Sequence, residues 1–429
     1  MKRIWALLLA VILSLQLCGL CSPVFGAGTD AASNESKTAS AENEAKSGSA
    51  ENAKTASPAE TAPEKTGSPV GVWKLTEMNS DGQITSKEDL EKLELVNMVF
   101  YMELLDGGKA FISGFGEDME GTWDESSITF NDTPVPYTFD KDKGTISFEQ
   151  NSSKMTFERS TIEAIHAIMG YVEGVLDETV QYSKEEQVLL DSEEASVRIT
   201  GYKADPTGFT ALIHCENKTD HDLMISTGNS YLNKYKIEPI WAVTLDAKES
   251  EDSAMVFKTP DIAKCGISAI DEMILSVNVI DAEKWESLGD SENITVYPTG
   301  KKAEEIKVPD RTPAKDEKVL VDNDDFAFII QGAGENLLLG YCADCYFENK
   351  TDKPLTFMWT KSQLNGTDIS SYYAEESLPG TRGYSQAAFM KSSLEEKQIG
   401  EVKEIKFTLQ VYDTDTYNKI FEEELSCTP

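Results

Sequence analysis

From residue 69 onward, apolar and polar residues alternate with a period of two in short runs, the pattern of half-buried β-strands. The first runs lie near 71–76, 96–104, 109–113, 120–124, 127–130, 135–139, 144–149 and 154–158. Asp106-Gly107-Gly108 and the stretch Asp140 to Gly144 are hairpin signals between them. Ile146 and Phe148, then Met155 and Phe157, put apolar groups on one face. So many short strands in residues 69–160 predict a small closed or nearly closed antiparallel barrel, because closure removes exposed edges. Between Thr85 and Glu88 a capping signal predicts a helix over Ser86–Leu93. The period then lengthens. Ile162, Ile165, Ile168, Met169, Val172, Val175 and Leu176 fall at helical spacing, which predicts one amphipathic helix over 161–177 inside a connector, 161–187.

Period two returns over 188–298 and 319–429, and the two segments repeat each other. Val188-Leu189-Leu190-Asp191 matches Val319-Leu320-Val321-Asp322. Glu216-Asn217-Lys218-Thr219-Asp220 matches Glu348-Asn349-Lys350-Thr351-Asp352 without a change. Leu232-Asn233 pairs with Leu364-Asn365, and Trp241-Ala242 with Tyr373-Ala374. Met273, Leu275, Val277, Val279 and Asp281 pair with Ile405, Phe407, Leu409, Val411 and Asp413. The offset is 131–132 residues throughout. A period this long means duplicated domains rather than a solenoid. Several strands in each copy predict an immunoglobulin-like β-sandwich. Residues 299–318, with Pro309, Pro313 and many charges, are the linker between copies. Asn217-Lys218-Thr219 and Asn349-Lys350-Thr351 match a glycosylation acceptor pattern and are read as turns, a role suited to Asn and Asp.

The N-terminal segment carries an address. Lys2 and Arg3 precede an apolar run from Ile4 to Leu20, and Val24-Phe25-Gly26-Ala27 supplies small residues. Residues 1–27 therefore read as a signal peptide, with cleavage near Ala27. A retained anchor is the rival reading, and Cys18 and Cys21 raise lipidation, although Leu17 and Leu20 precede them where small residues are expected. Residues 28–68 contain no aromatic residue and no Ile, Leu, Val or Met. They cannot bury enough apolar area to offset ordering entropy, so a disordered linker is expected.

Lys and Arg number 39 against 75 Asp and Glu, a formal charge of −36 in 429 residues. That excess argues against nucleic acid and against anionic membrane surfaces, both of which require a basic footprint. Membrane contact is expected only if the N-terminal segment is retained as an anchor. Three histidines leave no room for a His-rich metal site. Cys342-Ala-Asp-Cys345 has redox or zinc spacing, but it lies in a strand pattern, where residues three apart face opposite ways, and no partner pair completes four ligands. With Cys215, Cys265 and Cys427 it leaves an odd number beyond the signal, so a complete disulfide framework within one chain is excluded. Glu77 to Glu88 matches most of a twelve-residue calcium loop, with Gly82 at its sixth position. Its first residue is Glu rather than Asp and a strand leads into it. A turn at Asp81-Gly82 followed by a helix start accounts for the same residues.

Gly71-Val72-Trp73 opens the first strand of the barrel segment, and Met155 to Arg159 closes the last. The segment resembles the lipocalin-like small domains of bacterial secreted proteins. The resemblance implies that Trp73 plugs one barrel end and Arg159 caps its ring by a cation–π contact. The two repeats resemble the Ig-like repeats of bacterial surface proteins, a domain type with no assigned chemistry.

No Gly-x-Ser-x-Gly, phosphate loop or HExxH occurs, and Gly332-Ala-Gly334 opens no helix. No catalytic, cofactor-binding or metal-ligating residues are assigned. The fold class expected is mainly β: a lipocalin-like barrel and two tandem immunoglobulin-like sandwiches. The function expected is that of an exported, non-catalytic, multi-domain protein, secreted or at the cell surface, that binds protein or glycan. A small-ligand carrier is the alternative, marked by a cavity around Trp73, Phe100 and Phe111. A hydrolase with a carboxylate pair is the third. Trp241 or Tyr373, if exposed, would form a glycan platform; in a core, the same rings are packing.

Overall fold

The computed structural model describes residues 67–429, apart from 81–82, 95–98, 115–116, 131–132, 151–152, 240 and 337–338. The expected signal peptide, 1–27, and nearly all of the expected linker, 28–68, lie outside the described residues. The expected fold class is found: the chain is mainly β, with an antiparallel barrel followed by two β-sandwiches and a few short helices.

The barrel segment runs β1 (Gly71–Ser80), β2 (Gln83–Thr85), α1 (Lys87–Glu94), β3 (Tyr101–Leu105), β4 (Lys109–Gly114), β5 (Glu117–Trp123), β6 (Ser127–Phe130), β7 (Thr133–Asp140), β8 (Thr145–Gln150) and β9 (Ser153–Ser160). Neighbours from β3 to β9 pair antiparallel in sequence order. The sheet closes because β1 pairs with β3 on one side and with β9 on the other, from Val72 against Ser160 to Asn79 against Lys154. Closure leaves β2 as a short hairpin arm on β1. Ser86, not Thr85, is the residue that caps α1. Its hydroxyl accepts the Asp89 amide while the Asp89 carboxylate accepts the Ser86 amide, a reciprocal capping box. Leu90 and Leu93 on α1 then join the barrel core.

The connector differs from the expected single helix. Thr161 caps α2 (Ile162–Ile168) through its hydroxyl, and the helix stops at Met169. Gly170 takes a left-handed φ of 70°, a conformation that ends helices and that glycine adopts without a Cβ penalty. The apolar residues of the segment therefore divide. Ile162, Ile165, Ile168 and Met169 pack on the outer face of the barrel with Tyr101 and Phe111. Val175 and Leu176 join the core of the first repeat.

The first repeat runs β10 (Gln187–Asp191), β11 (Ala195–Asp205), β12 (Gly208–Asn217), β13 (Leu223–Leu232), β14 (Tyr235–Lys236), β15 (Ala242–Leu245), β16 (Ser250–Lys258), α3 (Thr259–Lys264), β17 (Met273–Asp281), β18 (Ser287–Asp290) and β19 (Ile294–Val296). The second runs β20 (Lys318–Asp322), β21 (Phe326–Asn336), β22 (Gly340–Asn349), β23 (Leu355–Leu364), β24 (Thr367–Asp368), β25 (Ala374–Ser377), β26 (Arg382–Met390), α4 (Lys391–Glu396), β27 (Ile405–Asp413) and β28 (Lys419–Cys427). Sheet order β10-β11-β12-β16 in the first is β20-β21-β22-β26 in the second. Facing it, β18-β17-β13 becomes β28-β27-β23, with β14 and β15, or β24 and β25, on β13 or β23. Even the bulges recur: Ile199 to Gly201 on β11 answers Ile330 to Gly332 on β21. The step in sequence offset from 131 to 132 falls in the hairpin loop after these strands, which is one residue longer in the second copy. Among the described residues, no helix is long and apolar enough to cross a membrane.

The unchanged Glu-Asn-Lys-Thr-Asp motif has a structural reason. Asn217 Nδ2 donates to the carbonyls of His221, Leu245 and Asp246 at 2.8, 3.2 and 3.0 Å. Asn349 Nδ2 does the same for Lys353, Ser377 and Leu378 at 2.7, 2.9 and 3.1 Å. The amide and hydroxyl of Thr219 and of Thr351 donate to the Asn oxygen in each copy. Lys218 and Lys350 tie the same turn to Asp191 and Asp322. Both asparagines are 1% exposed, so these are turn-fixing residues with no accessible amide. Asn217→Ala or Asn349→Ala leaves buried carbonyls unpaired and should cost about 1–3 kcal/mol. Urea unfolding of each variant checks this, and a loss below about 0.5 kcal/mol would show that water replaces the amide.

Candidate functional site

The barrel interior is filled by rings. Trp73 is fully buried, 5.8 Å and nearly perpendicular to Phe139, while Phe157 stacks edge-on with Phe148 and lies 6.0 Å from Phe100. A Cβ at Gly114 would fall 2.0 Å from the Phe100 ring, so glycine there is what admits that ring. The Arg159 guanidinium sits 4.3 Å above the Trp73 ring and donates to the carbonyls of Val70 and Ser68, while the indole N–H donates to Pro69. Trp73 and Arg159 thus take the plug-and-cap roles implied by the resemblance. Phe111 lies on the other face, under α2, so it cannot line one cavity with Trp73 and Phe100.

Several other singled-out residues fall within strands. Met78 pairs with Thr85 and Ser80 with Gln83, so the second to fourth positions of the calcium-like motif run antiparallel to its seventh to ninth as a tight hairpin. Its turn, Asp81-Gly82, lies outside the described residues. Cys342 and Cys345 sit on β22, with Cys345 in the core of the second repeat and Cys342 outside that cluster. Burial pushes the Cys342 thiol up to about 11 and the Cys345 thiol well above its ordinary value. Burial that favours the protonated thiol disfavours the thiolate that redox chemistry uses. Trp241 is 8% exposed and Tyr373 7%, both within the repeat cores. They are packing rings, not a glycan platform.

Two features remain. The first is the joint between repeats. β14 lies parallel to the edge of β26, with Tyr235 beside Arg382 and Lys236 beside Gly383, and the Arg382 amide donates to the Lys234 carbonyl at 3.0 Å. This merges strands of both copies into one ten-stranded sheet. Lys236 meets Glu375 at 2.7 Å. Burial opposes the Lys236 charge, but Glu375, followed by Tyr231 and Glu238, holds its ammonium above the ordinary lysine value. Tyr235 and Tyr384 stack nearly parallel at 6.1 Å, and Arg382 reaches both Glu348 and the Tyr235 ring. The segment 299–318 is fastened across the joint: Tyr235 donates to the Pro309 carbonyl, and Arg311 lies over Tyr346 while paired twice with Glu317. Beside the joint opens a mixed-charge cleft of about 340 Å³, with Lys236, Asp261, Lys264, Glu375 and Tyr384 in its wall.

Sequence reasoning missed these residues because they lie where the copies differ. At the 132-residue offset, Tyr235, Lys236, Arg382, Gly383 and Tyr384 answer to Thr367, Asp368, Ser250, Glu251 and Asp252. Subtracting one copy from the other is the signal that would have found them.

The second feature is a pair of equivalent hairpin tips. Trp285, between β17 and β18, is 72% exposed, and Tyr417, between β27 and β28, is 82% exposed. Both are left-handed, with φ of 59° and 57°. Each amide donates to the carbonyl of the aspartate four residues earlier, Asp281 or Asp413, and each aspartate side chain accepts amides inside its loop. A hydrogen bond from Lys284, then backbone donors, hold the Asp281 carboxyl down at about 2. Because this value is depressed, the anchor is intact above the unfolded value near ~4 and is lost as pH falls through about 2. The Lys284 amide shift should follow that course; a midpoint near 4 would mean the carboxylate is free.

Comparison with known proteins identifies no family. No family model matches the chain, and no curated protein matches it. Among solved structures, the YadV chaperone aligns at 12% identity over 51% of this chain and 92% of its own, with a TM-score of 0.17. The Salmonella enterica SafA pilin–SafB chaperone complex aligns at 10% over 55% and 97%, with a TM-score of 0.18. A protein of unknown function from Porphyromonas gingivalis W83 aligns at 11% over 56% and 98%, with a TM-score of 0.16. At such scores these likenesses carry no argument, and the fold rests on the strand pairing described above.

Proposed function

We propose that this chain is an exported, non-catalytic protein of the cell envelope or extracellular space, and that its repeats bind a protein or glycan partner. The supporting observation is the joint. It holds two copies of one sandwich in a fixed relation, with equivalent loops of each copy open to solvent. Fixing two like surfaces makes the second contact intramolecular, so a partner with repeated features is held more tightly than either copy alone could hold it. The charge of −36 favours partners that are neutral or basic. The basic and apolar residues at 2–20 support export, and the lipocalin-like and Ig-like resemblances support a place among bacterial secreted proteins.

Cell fractionation with N-terminal sequencing tests the address. The expected mature chain begins close to Gly28, outside the cytoplasm. Recovery of the chain in the cytoplasm with Met1 intact would overturn the reading. Retention of the purified protein on an isolated envelope fraction tests binding, and no retention would overturn that half of it.

A further inference from the structure

We propose that Trp285 and Tyr417 are paired sugar-stacking residues through which the two repeats bind a neutral glycan. The proposal rests on the binding reading above and names its site and ligand class.

Three observations converge on it. Both copies carry a large aromatic ring at the same place, the fourth residue of the loop that follows Asp281 or Asp413, although the loops otherwise differ: Ala-Glu-Lys-Trp-Glu against Thr-Asp-Thr-Tyr-Asn. Both rings are among the most exposed large hydrophobic side chains described, and neither stacks on another described ring. Both also occupy a left-handed backbone, where glycine or asparagine is the unstrained choice and a bulky residue is an outlier. Packing cannot explain an exposed ring, and local backbone preference opposes it. Strain retained at an exposed position points to a contact made outside the chain.

The surroundings select the ligand. Glu283, Lys284 and Glu286 are exposed around Trp285, and Asp415, Thr416 and Asn418 around Tyr417. A protein interface centres on a contiguous apolar patch with charges excluded from its middle, whereas each ring here is flanked within its loop by charged and polar residues. An anionic membrane surface would meet Glu283, Glu286 and Asp415 with like charge. A pyranose fits both halves of the site. Its C–H face covers a flat ring, and its hydroxyls reach carboxylate, amide and hydroxyl groups beside it.

The test uses the full mature chain, cellohexaose, chitohexaose and mannohexaose as neutral probes, and phosphatidylglycerol vesicles as the anionic comparison. Binding is read by calorimetry and by Trp fluorescence. Trp285→Asn and Tyr417→Asn are the decisive variants, because asparagine suits the left-handed backbone. Each should keep or raise the melting temperature, weaken binding of at least one hexasaccharide about tenfold, and together weaken it about a hundredfold. The proposal falls if the wild type binds none of the three, if the Asn variants bind as well as wild type, or if vesicles are bound in their place. If the envelope fraction retains wild type and Asn variants equally, the binding reading stands and this site assignment alone is overturned. If that fraction retains neither, both fall.

Discussion

Trp73→Ala should destabilise the barrel by about 3–5 kcal/mol, the range for removing a large buried ring. The indole is fully buried, its N–H is bonded to Pro69, and its face carries the Arg159 guanidinium. Removing it opens a void beside Phe139 and leaves Arg159 without the ring it covers. Arg159 also donates to Val70 and Ser68, beside the closing seam where β1 pairs with β9, so the variant removes the ring against which that pinning residue is held. Urea unfolding followed at the backbone amides of the barrel strands β3 to β9 by NMR measures the cost. A loss below about 1 kcal/mol would mean that the ring is not the plug of the barrel.

Gly383→Glu should open the joint between the repeats. A Cβ at position 383 would lie 2.6 Å from the Phe347 ring and 2.9 Å from the Lys236 Cβ. The Lys236 contact is with an atom next to the backbone, so relief requires β14 to move away from β26. Overpacking of this kind costs about 1–3 kcal/mol, and here separation of the strands also removes the Lys236–Glu375 pair. The substitution is the one the repeat itself supplies, since Glu251 stands at the equivalent place on β16. Calorimetry should show the repeats melting as separate transitions in the variant and together in the wild type. Gly332→Ala is the control: a Cβ there meets nothing within 4 Å, so its effect should stay within about 0.5 kcal/mol.

The β16 edge carries Glu251 and Asp252 where β26 has Gly383 and Tyr384. Charged side chains on an edge strand oppose edge-to-edge pairing of the kind β26 makes with β14.

What could be read from the sequence was local or periodic. Seven of the eight barrel runs sit within a few residues of their strands, because period two and the Asp-Gly turns are short-range signals. The run at 96–104 begins too early: β3 starts at Tyr101, and residues 95–98 lie outside the described residues. The duplication was legible because turn-fixing residues such as Asn217 and Asn349 must reach three carbonyls brought together by the fold, which fixes their identity in both copies. The helix over 161–177 was overestimated because helical spacing continues through Gly170, whose left-handed backbone breaks it without interrupting the apolar pattern. The joint was invisible for a different reason. It is made by two residues of β14 and by cross-copy pairs more than 130 residues apart, such as Lys236 with Glu375, and no window of sequence contains both partners. Trp241 and Tyr373 stayed open between platform and packing because composition does not say which side of a strand faces solvent, whereas Trp285 and Tyr417 stand out only once exposure and backbone angles are known.

Native-state amide exchange at Arg382 tests the central claim, that the repeats form one locked pair. Its N–H donates to the Lys234 carbonyl of the other copy, on what would otherwise be an open edge of β26. Exchange as slow as that of the neighbouring β22 and β26 core amides, lost in Gly383→Glu, is the expected result. Exchange at Arg382 as fast as at an open strand edge in the wild-type chain would contradict it.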